Sequence, residues 1–414
     1  MSRRNSSLRL VQDEKLSVSM KLLVVVSSLD LRQPFSATPA WWQLLKGLYE
    51  LGVEVIATPY QGAPIESLWW RSEPNPARLQ GDLFKSLRDA SRALRPTGPA
   101  AAGSESRGES LGDRAVRTLA NKLIAPLWQR HLERILRREA DVDAILFLTV
   151  PLNHLRGLPR HISSKFDMPI FYYDGDVPAS LPNMRGFASG FRIYQGADLA
   201  EYTAFISNSS GGGALLTELG AENAHTLWYG ADPEVFSPVP VPAQYIDVLF
   251  YGHGREYRSE WIDRLITAPS KSIAGAQFAA RGTNLGDLCA ARRLPYLSFS
   301  KLREYVCRSK INLCITRGAH ASVYASSSSR PFELGALGAC IVANPYLGIE
   351  EWFEPEKELI IVHSAEEAIE RYRYLLENDR ERIAIGSAAR QRVLKQHTFR
   401  HRAQELTEII KKYI

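Results

Sequence analysis

What most constrains the fold of this chain is an alternation of short, wholly apolar runs with polar loops and amphipathic stretches. Lys21 to Ser27 (KLLVVVS) is a continuous run of strand length, Trp41 to Leu51 follows with helical spacing and stops at Gly52, and Val53 to Thr58 (VEVIAT) is the next run. A strand that is apolar on both faces must be buried on both, which requires a parallel sheet with crossover helices above and below it. Asp143 to Leu148 (DAILFL), Pro169 to Tyr173 (PIFYY), Ala204 to Ser207 (AFIS) and His225 to Tyr229 (HTLWY) continue the series. Pro238, Pro240 and Pro242 then stiffen a connector, after which the pattern restarts at Ile246 to Tyr251 (IDVLFY), Phe278 to Gly282, Ile311 to Ile315 (INLCI) and Cys340 to Ala343. A chain of 414 residues also exceeds what one core serves. The expectation is therefore an α/β protein of two Rossmann-like domains facing across a cleft.

The boundaries expected are a disordered polar leader over 1–19, with Met20 as a candidate start, an N-terminal domain over 20–236 and a C-terminal domain over 237–396. Arg95 to Asp113, rich in Gly, Ser and Pro, reads as a mobile insertion. The helical period from Ala115 to Arg138 places Leu119, Leu123, Leu127 and Leu132 on one side, which reads as a core-packing face, with a membrane-surface role as the other option. Ala403, Leu406, Ile409 and Ile410 give the final helix, 397–414, an apolar stripe that needs a groove. Crossing back onto the first domain would supply one.

The net charge of +6 admits phosphate-bearing partners, but Lys and Arg are spread along the chain and no basic helix interleaved with stacking aromatics occurs, which argues against nucleic acid. No apolar run is long enough to span a bilayer, so a cytoplasmic location is expected, with attachment to the inner face of a membrane left open. Cys289, Cys307, Cys314 and Cys340 lie far apart without a CxxC pair, which favours reduced structural thiols.

In open parallel sheets ligands collect outside the carboxyl ends of the strands. The residues there are His154 and Arg156 after one strand, Asp174, Gly175 and Asp176 after the next, and Asn208 and Ser209 after a third. The Asp-Gly-Asp run reads as turn chemistry, and no metal is expected. In the second half, Gly252, Gly254, Arg255 and Arg258 form the first corner, where glycines let a backbone approach a phosphate, and Arg281 and Gly282 form the second. Arg317 to His320 follow the next strand. Then comes SSSSRPFELGALGACIVA, Ser326 to Ala343, a short helix feeding a buried strand. Its N-terminus with Arg330 is a seat for a phosphate, and Glu333 one turn in can accept hydrogen bonds from ribose hydroxyls.

Two pieces carry a family resemblance. ISNSSGGGALLTELGAENAHTLWYGADPEVFSP, Ile206 to Pro238, resembles the domain-junction motif of GT-B enzymes of glycosyltransferase family 4. RPFELGALGACIVANPYLGIEEWFEPEKELIIV and ERIAIGSAARQRVLKQHTFRHRAQEL resemble the C-terminal domain of the CgeB-like, group 1 type 2 branch. The resemblance implies a GT-B fold and a retaining, metal-independent glycosyltransferase using a UDP-, GDP- or dTDP-sugar as co-substrate and a glycan, lipid or small-molecule acceptor. It places Glu333 at the second glutamate of the family's E-x7-E motif, on the donor ribose, with Arg258 and Arg330 where the branch keeps arginines. At the first glutamate of that motif this chain has Ala325.

Cleavage of a sugar–diphosphate bond leaves negative charge on the phosphates, so cations and amides aimed there favour the transition state. Arg330 is thus expected on the leaving group, and Asp174, Asp176, His154 and Asn208 on the acceptor. The other readings are a nucleotide-sugar epimerase or hydrolase, or a binding protein without catalysis.

Overall fold

The computed structural model describes residues 20–30, 39–81, 111–182, 193–254, 258–295 and 301–414. The leader expected over 1–19 lies outside the described residues, as does most of the expected insertion; a helix already runs from Leu111 to Leu123.

The first seven strands are β1 (Lys21–Ser28), β2 (Glu54–Gln61), β3 (Arg71–Ser72), β4 (Ala144–Leu148), β5 (Ile170–Asp174), β6 (Ala204–Ser207) and β7 (Ala224–Thr226). They form one parallel sheet in the order β3-β2-β1-β4-β5-β6-β7. Six more, β8 (Ile246–Tyr251), β9 (Phe278–Arg281), β10 (Arg292–Arg293), β11 (Ser309–Cys314), β12 (Cys340–Ala343) and β13 (Ile360–Ile361), form a second parallel sheet in the order β10-β9-β8-β11-β12-β13. Strand order reverses at β1/β4 in the first sheet and at β8/β11 in the second.

The double burial read from the apolar runs is visible residue by residue. Leu23 and Val25 of β1 enter the core on one face of the first sheet, with Trp128 and Leu132 of the Ala125–Arg138 helix. Leu22, Val24 and Val26 enter the core on the other, with Leu44 and Leu48 of the Ala40–Glu50 helix. Burial of each such aliphatic side chain contributes about 1.5–3 kcal/mol, which sets the register of the sheet more firmly than backbone pairing does.

The helix expected over Ala115–Arg138 is two helices, broken at Ile124, because Pro126 cannot donate to the preceding turn. The break moves the buried stripe to Ala120, Ile124, Trp128, Leu132 and Ile135, and leaves Leu119 and Leu123 exposed. The strand expected over His225–Tyr229 ends at Thr226, since the chain leaves the sheet there and Tyr229 N takes Ser327 Oγ of the second half at 2.9 Å.

The last helix, Phe399–Ile410, does cross back: Phe399, Ala403, Leu406 and Ile410 share a core with Trp42, Leu45 and Leu48. Thr398 caps it, its hydroxyl accepting from His401 N. The approach to the Ala40–Glu50 helix is close enough that a Cβ at Gly47 would lie 2.7 Å from Phe399 O. No helix among the described residues is long and apolar enough to cross a membrane, and the four cysteines are free thiols.

A second seam joins the halves. Gly211 N donates to Tyr324 O at 2.9 Å, Ser210 N to Ala325 O at 3.2 Å, and Ser209 Oγ lies 2.6 Å from Ser326 Oγ. This seam fixes the segment that leads into the Ser329–Ala336 helix against the end of β6.

Candidate active site

The switch point β8/β11 is where an open sheet of this order has its crevice. Around it the structure gathers four cationic or acidic side chains and one aromatic. Tyr251 closes β8, and two guanidinium groups lie over its ring, with Arg281 Cζ and Arg330 Cζ each 4.5 Å from the ring centroid. Arg330 Nη1 donates to Glu333 Oε2 at 2.9 Å along the first turn of the Ser329–Ala336 helix. Glu333 is fully buried, and its Oε1 has no hydrogen-bond partner among the described residues. Burial pushes its carboxyl above the usual range, against the pull of Arg330 and of the Ser329 hydroxyl. A dry carboxylate with an open lone pair is built to receive hydroxyl donors.

Arg258 opens the helix after β8, and its Nε donates to Ile315 O at 3.1 Å. The Cys314 thiol, pushed up to about 12 by burial, feels Arg330, Arg258 and Glu333 together. Of the three residues on which the sequence reading rested, Arg330 and Glu333 are bonded to each other, and Arg258 is bonded to Ile315 O just past the end of β11.

The glycines have a different task from the one expected. A Cβ at Gly254 would lie 2.2 Å from Asn284 O, and one at Gly282, where φ is +148°, would lie 1.6 Å from Gly252 O. Gly252 N and Gly254 N donate to Arg281 O and Thr283 O, each at 2.9 Å. The two corners are thus glycine-rich so that they can pack on each other, and those amides are already engaged. Arg281 is buried behind them, its Nε on Pro295 O at 3.2 Å. Arg255 lies outside the described residues.

On the first sheet's side, the two aspartates of the Asp-Gly-Asp turn have separate fates. Asp174 is fully buried and accepts from Ser180 Oγ at 2.5 Å, Tyr194 OH at 2.6 Å and Asp176 N at 2.9 Å. Its oxygens organise its own loop rather than face the arginines. Asp176 reaches across instead, its Oδ1 lying 2.7 Å from Arg317 Nη1 and 3.8 Å from His320 Nε2. His154 Nδ1 pairs with Tyr60 OH at 2.8 Å on the first sheet's own edge. Asn208 is buried and bonded to Ser327. The structure pairs Arg330 with Glu333, sets Arg281 and Arg330 on Tyr251, and ties Asp176, one of the expected acceptor-side residues, to Arg317 and His320. Tyr251, Arg317 and His320 are residues that the sequence reading did not rank as site residues. The position of Tyr251, last in an apolar run that ends at a glycine corner, is the signal that points to it.

Ala325, at the position of the family's first glutamate, is fully buried with φ +45°, and its N–H donates to Leu347 O at 2.9 Å. It belongs to the seam between the halves. Among the described residues no group of three or more His, Cys, Asp or Glu is placed to hold a metal ion.

Two parallel-sheet domains with a terminal helix returning to the first constitute the GT-B glycosyltransferase fold, and the chain has that fold. A family model described as glycosyl transferase-like matches residues 255–408. Among solved structures the chain is similar to sucrose-phosphate synthase from Thermosynechococcus elongatus, at 14% identity and TM-score 0.61, covering 95% of this chain and 98% of that one. It is similar to the trehalose-6-phosphate synthase OtsA, at 12% identity and TM-score 0.60, covering 95% and 99%. Anabaena Alr3699/HepE in complex with UDP matches at 12% identity and TM-score 0.58, covering 95% and 100%. The search of curated proteins finds no match.

Proposed function

We propose that this protein is a retaining, metal-independent glycosyltransferase that moves a sugar from a nucleotide-diphosphate sugar to an acceptor hydroxyl on a glycan, lipid or small molecule. The observation that carries the proposal is Glu333, a buried carboxylate with one oxygen on Arg330 and the other without a hydrogen-bond partner among the described residues, near the switch point of the second sheet. In this reading the C-terminal domain, 237–396, holds the donor, with Glu333 accepting from the ribose hydroxyls. Arg258, Arg317 and Arg330 receive the diphosphate. The N-terminal domain, 20–236, presents the acceptor. A UDP-sugar is the favoured donor, because two structurally similar proteins hold one: Alr3699/HepE is in complex with UDP-glucose, and a structure from E. coli, 14% identical with TM-score 0.60, is bound with UDP-2-fluoro glucose.

As the sugar–phosphate bond breaks, negative charge accumulates on the leaving oxygens while the sugar becomes cationic. Guanidinium groups fixed by Tyr251 and Ile315 O meet that charge without reorganising. One such contact is worth about 3 kcal/mol in a water-excluded site. Cations of the chain itself then serve the leaving group, which is the basis for expecting activity to survive chelation.

Calorimetry with UDP-glucose on wild type and Glu333→Gln tests the site. Donor affinity should fall at least about tenfold, the value of a lost charge-assisted hydrogen bond in a dry site. Unchanged affinity would overturn the assignment. UDP release that requires an acceptor supports transfer, whereas release without one favours a hydrolase, and binding without turnover favours a binding protein. Retention is read from the anomeric configuration of the product by NMR.

A further inference from the structure

We infer that Asp176 stands in for a donor phosphate, occupying Arg317 until a nucleoside diphosphate displaces it, so that donor binding releases a carboxylate on the acceptor side of the cleft. The inference rests on the transferase reading above and adds a residue that acts on both substrates.

A guanidinium recognises a carboxylate and a phosphate by the same paired N–H geometry, so either can hold the other's place. Arg317 lies just after β11, on one side of the switch point, and Arg258 lies on the other, at the start of the helix after β8. The ion pair from Arg317 Nη1 to Asp176 Oδ1, 2.7 Å long, crosses between the two sheets and puts an anion of the first half among cations of the second. Arg258 acts on the same carboxyl from the second half.

The loop that presents Asp176 is held from behind. Asp174 accepts the Asp176 N–H together with Ser180 and Tyr194, and Tyr229 OH donates to Gly175 O at 2.6 Å. A buried aspartate spent on its own loop is otherwise hard to account for, and here it keeps the next carboxylate in position. His320 lines the same place. It is buried, its Nδ1 has no partner among the described residues, and burial next to Arg317 holds the ring neutral, down to about 3. The charges facing Asp176 are therefore Arg317 and Arg258, with Asp174 behind it. A diphosphate carries more negative charge than the one carboxylate it would replace, so it interacts more strongly with these cations.

The Asp176 side chain keeps 33% of its surface exposed, so a displaced carboxylate has solvent to turn to. Once displaced, it is an acceptor of hydrogen bonds on the loop that faces the acceptor. The acceptor hydroxyl then finds its partner only in the donor-loaded protein, which imposes an order of binding.

The test is calorimetry with UDP and with uridine on wild type, Asp176→Asn and Asp176→Ser, each checked for folding by circular dichroism and melting. Removing the competing anion should tighten UDP about threefold to tenfold, the tax on a site that is occupied most of the time. Uridine, which lacks phosphates, should bind all three proteins alike. In an Arg317→Ala background the gain should vanish. UDP affinity that is unchanged or weaker in both folded Asp176 variants would overturn the inference while leaving the transferase reading intact. A wild-type protein that binds no UDP, GDP or dTDP would overturn both.

Discussion

Asn208, at the end of the first sheet's β6, and Ser327, just before the Glu333 helix, hold each other from both sides. Asn208 Nδ2 donates to Ser327 O at 2.7 Å, while Ser327 N and Oγ donate to Asn208 O at 2.9 and 2.8 Å. Both residues are fully buried, so the bonds form without water competing for them. The segment that leads into the Glu333 helix is therefore anchored to the first half of the molecule.

Asn208→Ala should remove one bond directly and leave Ser327 O unsatisfied in a buried place. The expected loss is about 1–3 kcal/mol, together with looser coupling of the two halves. Differential scanning calorimetry should show a lower midpoint and a broader or split transition. A single unshifted transition would mean that the seam is held without this residue.

The contact of the Tyr251 ring with both Arg281 and Arg330 makes a separate prediction. Each guanidinium–ring contact is worth about 0.5–1 kcal/mol, more when dry, so Tyr251→Leu should weaken UDP binding roughly threefold to tenfold. Tyr251→Phe keeps the ring and should bind nearly as wild type. Equal affinity in the Leu variant would show that Arg330 holds its place without the ring.

Two variants should tilt the pH dependence of stability in opposite directions. Burial first, then Arg402 and Arg392, lowers His397 from 6.5 to about 3. The unfolded chain therefore binds a proton that the folded one refuses, and the stability this histidine contributes above pH 6.5 is lost as pH falls toward 3. Relative to His397→Gln, wild type should lose about 1.4 kcal/mol per pH unit over that range. Asp176 runs the other way: burial, opposed by Arg317, raises it from 3.8 to about 6. Its contribution is fully present below 3.8 and fades as pH rises through 6. Relative to Asp176→Asn, wild type should therefore weaken between pH 4 and pH 6. Urea unfolding at a series of pH values checks both, and parallel curves for either variant would contradict the assigned protonation.

Gly282→Ala should be severe. Its Cβ would meet Gly252 O at 1.6 Å on a backbone with φ of +148°. Because the clash is with main chain, relief requires separating the two corners, at about 3 kcal/mol or more. Soluble, stable Gly282→Ala protein with unchanged urea midpoint would refute this account of the glycine.

Local patterns carried a good deal of this fold. Runs such as KLLVVVS declare double burial, and double burial implies parallel strands. The stripe Ala403, Leu406 and Ile410 demands a groove and finds it on the Ala40–Glu50 helix. Arg330 and Glu333 are three apart on one helix, a spacing that makes them neighbours in any fold that keeps the helix, although the sequence reading assigned them to separate parts of the ligand and not to each other. The rest depended on contacts that no local pattern encodes. Which aspartate of Asp174 and Asp176 reaches the cleft is settled by Ser180, Tyr194 and an arginine 141 positions away. Asn208 became a clasp through a serine 119 positions on. The corner glycines turned from phosphate toward each other because β8 and β9 lie side by side. Periodicity and short-range pairing act within a few residues and survive in any fold. Choices between equivalent polar side chains in one loop are made by distant partners, which only the closed tertiary structure brings within bonding distance.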